Sequence, residues 1–179
     1  MNNPFNIAVV GASGAVGEVM LSILEERGYP AENITALASE RSAGKDVDYG
    51  RQSLIVQDLA NFDCSSVKYG LFSAGGSVSE KYAPIAAKAG AIVIDNTSAF
   101  RNIDEIPLVV PEVNPHMLEN VEPGTIIANP NCSTIQMLVA LAPIQKAVGI
   151  DRINVATYQS VSGAGASALR ELAEQTVER

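Results

Sequence analysis

Two stretches of this 179-residue chain carry residue types that could do chemistry. In ANPNCSTIQ, residues 128–136, Cys132 stands between an Asn-Pro-Asn turn and the expected first turn of a helix. The thiolate is the nucleophilic form of cysteine, and the free amides and dipole of a helix N-terminus stabilise it. The same amides could hold the oxyanion that forms when a thiolate attacks a carbonyl carbon. Taken alone, a cysteine beside an apolar helix is more often packing than chemistry. Cys64, in NFDCSS, has no comparable setting and reads as structural.

The second stretch is GASGAVG, with Gly11, Gly14 and Gly17 after an apolar run and before a helical pattern. Glycines in that position let the turn be tight and let the backbone approach a pyrophosphate, whose charge the helix N-terminus stabilises. The spacing departs from G-x-G-x-x-G, so the loop points to a dinucleotide without choosing which one. The residues after the second apolar run, ALASERSAGK, bear on that choice. Glu40 could bind the ribose hydroxyl of NAD, whereas Ser39, Arg41, Ser42 and Lys45 supply hydroxyls and positive charge for a 2′-phosphate. The balance favours NADP, against the plainer reading of a solvated loop. With such a cofactor present, a thiohemiacetal on Cys132 would be a suitable hydride partner.

The elements that must position these residues follow from the hydrophobic pattern. Strands are expected at 5–10, 33–39, 53–59, 67–74, 91–96 and 124–129, with a polar loop through Lys45 and Asp48. A helix over 15–27 places Val16, Val19, Met20, Ile23 and Leu24 on one face at offsets of three, four, seven and eight, and Gly28 stops it. Further helices are expected over about 79–89 and over 133–148, the latter kinked or split at Pro143. Alternating strands and helices imply an α/β architecture, a doubly wound parallel sheet covered on both faces. Residues 153–163 alternate, with Val155, Thr157, Gln159 and Val161 on one face, which suggests a different and half-exposed sheet. A last helix, 166–179, runs to the chain end without a stop, as in the opening of a second domain that continues further. The expected division is a dinucleotide-binding domain, 1–131, and the start of a second, 132–179.

Composition narrows the class. A net charge of −8 with scattered positive residues argues against a nucleic-acid surface. Apolar runs are strand-sized, so no membrane segment is expected, and the N-terminus lacks the basic region of a secretory signal. The expected compartment is the cytoplasm. Two cysteines without CxxC spacing and a single histidine suggest neither a metal site nor a disulfide framework.

GASGAVG, LASERSAGK, DNTSAFR, VPEVN, NPNCST and YQSVSGAG, in this order, resemble the N-terminal portion of bacterial aspartate-semialdehyde dehydrogenase over nearly the whole chain. N-acetyl-glutamyl-phosphate reductase shares the fold and chemistry and is the alternative, but NPNCST and LASERSAGK look more like the aspartate enzyme. The resemblance implies a Rossmann-like domain followed by the beginning of an α+β catalytic and dimerisation domain. It also implies reduction of aspartyl-4-phosphate by NADPH to aspartate 4-semialdehyde and phosphate, in lysine, methionine and threonine biosynthesis. Carried over by position, Cys132 would form the acyl thioester, Gln159 would orient the substrate and Arg101 would bind its phosphate. Gly11, Ser13, Gly14, Ala15, Val16 and Gly17 would line the cofactor pyrophosphate; Ser39, Arg41 and Ser42 its 2′-phosphate; and Ser73, Ala74, Gly75, Asn96, Ser162 and Gly163 the stretch toward the nicotinamide.

Family members are longer, and their acid/base histidine and the arginine for the substrate α-carboxylate come later in the chain. His116, in VNPHML, does not match that place and reads as the start of a short surface helix. The chain alone is therefore expected to be poorly active. A non-catalytic NADP-binding module and a scaffold that keeps only the fold are the other readings. The full enzyme is expected to be a homodimer or a dimer of dimers.

Overall fold

The computed structural model describes residues 5–177, which fall into two compact units dividing between Pro130 and Asn131. Residues 178 and 179, the end of the expected last helix, lie outside the described residues, as do residues 1–4.

The first unit is built on a six-stranded sheet: β1 (Ile7–Val10), β2 (Ile34–Ala38), β5 (Gln57–Asp58), β6 (Tyr69–Phe72), β7 (Ile92–Asp95) and β8 (Ile126–Ala128), in the spatial order β5-β2-β1-β6-β7-β8. Every pairing in it is parallel. All four residues of β1 are buried, as a central strand covered on both faces requires. Its alternation divides the core: Ala8 and Val10 join Leu37, Phe72, Val93 and Phe100 beneath helix α2 (Gly76–Lys88). Ile7 and Val9 join Ile34, Ala36, Leu21 and Leu24 beneath helix α1 (Ala15–Glu26). The doubly wound parallel sheet read from the sequence is the architecture observed.

Two details differ from the sequence reading. The residues of α1 that are buried are Gly17, Leu21 and Leu24, while Val16, Val19 and Ile23 are exposed. A side chain at Gly17 would collide with the Gly11 carbonyl. The helix therefore rolls its bare Gly17 edge onto the loop, and the flanking apolar residues turn outward. Met20 and Ile23 line a shallow groove with Tyr29, Tyr69, Leu71 and Ile94. Also, the expected polar loop through Lys45 and Asp48 contains a strand. β3 (Asp46–Tyr49) pairs antiparallel with β4 (Gln52–Ile55) in a separate hairpin. Val47 and Tyr49 are buried while Asp46 and Asp48 face out, and the Tyr49 hydroxyl donates to the Tyr29 carbonyl at 2.7 Å. Two apolar residues among charges are enough for a hairpin when a core lies beneath it. The expected 53–59 strand is thus divided between β4 and the two-residue β5.

In the second unit, α3 runs from Cys132 to Val148, unbroken at Pro143, and α4 covers Ala166–Val177. Residues 153–160, expected as a strand, form none, and the 3₁₀ turn Val161–Ala164 follows. Strand backbone needs a hydrogen-bonding neighbour, and no described segment pairs with this one. Alternation supplied the pattern but not the partner.

Candidate functional site at the carboxyl ends of the strands

Because the main strands are parallel, the loops that follow them emerge on one edge of the sheet. β1 is flanked by β2 on one side and β6 on the other, so the connections diverge there and leave a crevice outside the strand ends. The loop after β1 is tightly folded. Gly11 N–H and Ala12 N–H both donate to the Leu37 carbonyl, at 2.8 and 3.1 Å, and Gly14 N–H returns to Gly11 O at 3.0 Å. Gly11 has φ +91°, and an added Cβ would lie 2.9 Å from the backbone nitrogen of Ala74. A Cβ on Gly17 would lie 2.1 Å from Gly11 O. Neither position tolerates a side chain, and the loops 11–14 and 73–75 touch backbone to backbone.

Both loops open helices at glycine N-caps, Gly14 for α1 and Gly75 for α2, and neither cap offers a side-chain acceptor. First-turn amides left in this way suit an anion. Ser13, Gly14, Ala15 and Val16 are exposed along the first of them. In the second of these loops the Ser73 hydroxyl oxygen is buried and has no hydrogen-bond partner. An orphaned buried hydroxyl is uncommon in a folded protein, and here it sits beside the glycine cradle. Glycine-lined backbone, two open helix starts and a hydroxyl wanting a partner together fit a phosphate-bearing nucleotide. Ser39, Arg41 and Ser42 follow β2, with Ser39 and Arg41 exposed. The 3₁₀ turn Glu40–Ser42 is closed by Ser42 N–H to Ser39 O at 2.8 Å, leaving the Ser39 side chain outside the cap.

Beyond β7 and β8 lies a polar cluster. Arg101, half-buried, donates from Nε to the Asn129 carbonyl at 2.9 Å and from Nη2 to the Asn96 carbonyl at 3.1 Å. One edge of the guanidinium is thereby fixed on the backbone, and the Nη1 side remains to meet an anion. Asn129 Nδ2 donates to Asn96 Oδ1 at 2.6 Å. Beneath them Asp95, fully buried, accepts from the Ser79 hydroxyl at 2.5 Å and the Thr97 hydroxyl at 2.7 Å. Asp95, Ser79, Thr97 and Asn129 escaped the sequence reading. The signal was the polar run DNT that ends an otherwise apolar strand.

Cys132, Gln159, Ser162 and Gly163 belong to the second unit. Cys132 is exposed and is the first residue of α3, at its N-terminal edge, the helix starting one residue earlier than expected. Asn131 caps that helix, accepting from Ser133 N–H at 3.0 Å and Ser133 Oγ at 2.8 Å. Gln159 donates to Thr157 Oγ1 at 3.2 Å, and Gly163 N–H donates to Ser160 O at 3.2 Å within the 3₁₀ turn. Cys64, half-buried in the first unit, has its thiol pushed up by burial and then by the neighbouring Asp63 carboxylate.

A parallel sheet with glycine-opened helices at its switch point defines a nucleotide-binding α/β protein. The profile "Semialdehyde dehydrogenase, NAD binding domain" matches residues 6–121, and "Semialdehyde dehydrogenase, dimerisation domain" matches 141–179. The chain belongs to the semialdehyde dehydrogenase family, and its first unit is a nicotinamide-dinucleotide-binding domain. It is 59% identical to aspartate-semialdehyde dehydrogenase 2 of Vibrio cholerae, covering 98% of this chain and 52% of that protein. It is 54% identical to aspartate-semialdehyde dehydrogenase of Bacillus subtilis, covering 98% and 50%. Its fold superposes with TM-score 0.91 on a probable aspartate-semialdehyde dehydrogenase from Pseudomonas aeruginosa, at 35% identity, covering 98% of this chain and 52% of that one. The chain thus spans about half the length of the curated relatives it matches. Among the described residues no helix is long and apolar enough to cross a membrane.

Proposed function

We propose that this chain carries the NADP-binding part and the nucleophile of an aspartate-semialdehyde dehydrogenase, acting in the cytoplasm and, with its dimerisation domain, as a homodimer or a dimer of dimers. The observation that supports it best is the close backbone contact of loops 11–14 and 73–75 at the strand ends, with the orphaned Ser73 hydroxyl beside glycines that admit no side chain. The names of the relatives supply the semialdehyde, and the family resemblance implies aspartyl 4-phosphate as the substrate in the reducing direction. Gly11, Gly14, Gly17 and the first turn of α1 hold the pyrophosphate; Ser39, Arg41 and Ser42 hold the 2′-phosphate. Ser73, Ala74, Gly75, Asn96, Ser162 and Gly163 line the cofactor toward its reactive end. When bound, the reduced nicotinamide supplies a hydride.

The protein's own part begins at Cys132. Its thiolate sulfur bonds to the acyl carbon while the carbon–oxygen bond to phosphate breaks, and the oxygen leaves with its electron pair as phosphate. Arg101 takes that phosphate on its Nη1 side, and Gln159 orients the acyl group. Dividing one difficult displacement into two easier steps is the contribution of covalent catalysis. After reduction the sulfur–carbon bond breaks, the aldehyde departs and the thiolate is restored.

The test is a titration with NADPH and NADH, followed by nicotinamide fluorescence. NADPH is expected to bind at least about tenfold more tightly, a difference that one charge-assisted phosphate site can supply. Substitution of Arg41 by Ala should remove most of the preference. Equal binding of the two nucleotides would overturn the NADP assignment, and no binding of either would overturn the cofactor reading.

A further inference from the structure

Asn129 is the point at which three backbone or side-chain bonds of the polar cluster meet. Its N–H donates to the Asp95 carbonyl at 2.8 Å, and its carbonyl accepts from Arg101 Nε at 2.9 Å. Its amide Nδ2 donates to Asn96 Oδ1 at 2.6 Å. Asp95, one residue before Asn96, is locked in turn by the Ser79 and Thr97 hydroxyls. Asn96 N–H donates to the Phe72 carbonyl at 2.8 Å, so its backbone is fixed to the end of β6. What remains undetermined by the backbone is which end of the Asn96 amide is left to meet a ligand. An amide presents a donor at one end and an acceptor at the other. With its oxygen accepting from Asn129, Asn96 keeps its NH₂ for another acceptor.

We propose that Asn129 is a positioning residue that sets the orientation of the Asn96 side-chain amide, so that a donor and not an acceptor faces an oxygen of the bound nicotinamide cofactor. The inference rests on the cofactor reading above. The Asn129 side chain acts through its bond to Asn96. Its backbone carbonyl, which no substitution at 129 removes, separately anchors Arg101.

The experiment is an NADPH titration of the full chain with Asn129→Ala, Asn96→Ala, the double variant and Asn129→Asp, alongside thermal unfolding of each. Asn129→Ala frees the Asn96 amide and should weaken NADPH about fivefold, the range expected for one neutral hydrogen bond. Asn129→Asp can only accept, so it draws the Asn96 NH₂ inward, presents its oxygen to the cofactor and should weaken binding further than Asn129→Ala. In an Asn96→Ala background the Asn129→Ala loss should vanish, because coupled residues do not act additively. A purely structural role would lower the unfolding temperature and leave the Asn129→Ala loss intact in that background. Wild-type affinity in Asn129→Ala, or losses that add independently, overturns this inference alone. A parent chain that does not bind NADPH overturns the cofactor reading and this inference with it.

Discussion

The two units of this chain contrast in how far their residues are held by others. In residues 5–130 every strand has a neighbour and both faces of the sheet are packed. In residues 131–177 no residue of α3 is buried, Tyr158 is fully exposed, and the alternating stretch 153–160 remains without regular structure. Both regions carry clear local signals. The difference lies in tertiary partners, and it teaches that alternation determines a strand only where a neighbour can pair with it, whereas a helix such as α3 closes its backbone bonds within itself.

Glycine substitution gives the largest separation between the units. Gly17→Ala places a Cβ 2.1 Å from the Gly11 carbonyl, with no flexible side chain to yield. It should cost about 3 kcal/mol or more, as overpacking against fixed backbone does. Gly163→Ala meets nothing within 4 Å and needs no positive φ, so its cost should stay within about 0.5 kcal/mol, as for surface changes generally. Urea unfolding of the two variants checks this. Comparable small losses would mean that the β1–α1 loop can relax and the crevice is not rigid.

Hydrogen bonds give a smaller contrast of the same kind. Asp95→Ala leaves the buried hydroxyls of Ser79 and Thr97 without their carboxylate, at an expected cost of about 3 kcal/mol for bonds to a buried charged group. Thr157→Ala removes only the exposed bond to Gln159 and should change stability by less than about 0.5 kcal/mol. Thermal unfolding that ranked these two in the opposite order would show that the polar cluster beneath Asn96 is not structural.

A backbone probe sharpens the comparison next. Arg152 is exposed in a stretch without regular structure, whereas Arg101 is half-buried and bonded to two carbonyls. Limited trypsinolysis should cut after Arg152 well before Arg101, since cleavage needs local opening. First cleavage at Arg101 would place the weak point in the wrong unit.

Legibility in the sequence follows the same line. The parallel sheet was readable because strands such as Ile7–Val10 are apolar throughout and end at glycine, a pattern with few other solutions. The glycine loop was readable because Gly11 and Gly17 answer steric demands only glycine can meet. The buried face of α1 was misread: periodicity counts apolar residues equally, while the bare edge of Gly17 decided which way the helix turned. The β3 strand was missed because its charges outnumber nothing but alternate with Val47 and Tyr49, whose core is supplied by distant residues. Asn129 was invisible because its partners, Asp95, Asn96 and Arg101, are brought to it by the sheet and not by spacing.

The two cysteines carry the contrast into chemistry. Cys132 is exposed at the start of α3, while Cys64 is half-buried and its thiol is pushed up, first by burial and then by Asp63. Alkylation at pH 8 should therefore modify Cys132 at least about tenfold faster, because the thiolate is the reacting species and access limits the other. Peptide mapping after a short exposure checks the order, and urea should bring the two rates together.

The smallest effect expected separates the two causes acting on Cys64. Asp63 accepts from Ser65 N–H at 2.9 Å and Ser65 Oγ at 2.8 Å, and these bonds hold its own carboxyl below the usual carboxylate range. It is therefore charged throughout the range in which a thiol titrates. Asp63→Asn keeps an oxygen for Ser65 N–H but removes the negative charge beside the thiol. Since burial is the larger cause and is untouched, the alkylation profile of Cys64 should move only slightly toward lower pH. The sign for stability follows from the raised thiol: the contribution is complete below the unfolded thiol's titration and is lost as pH rises through the folded one. Asp63→Asn should make that loss marginally smaller. A large shift of the Cys64 profile would mean that charge, not burial, governs this cysteine, and the difference between the two thiols would then be electrostatic in origin and not a matter of packing.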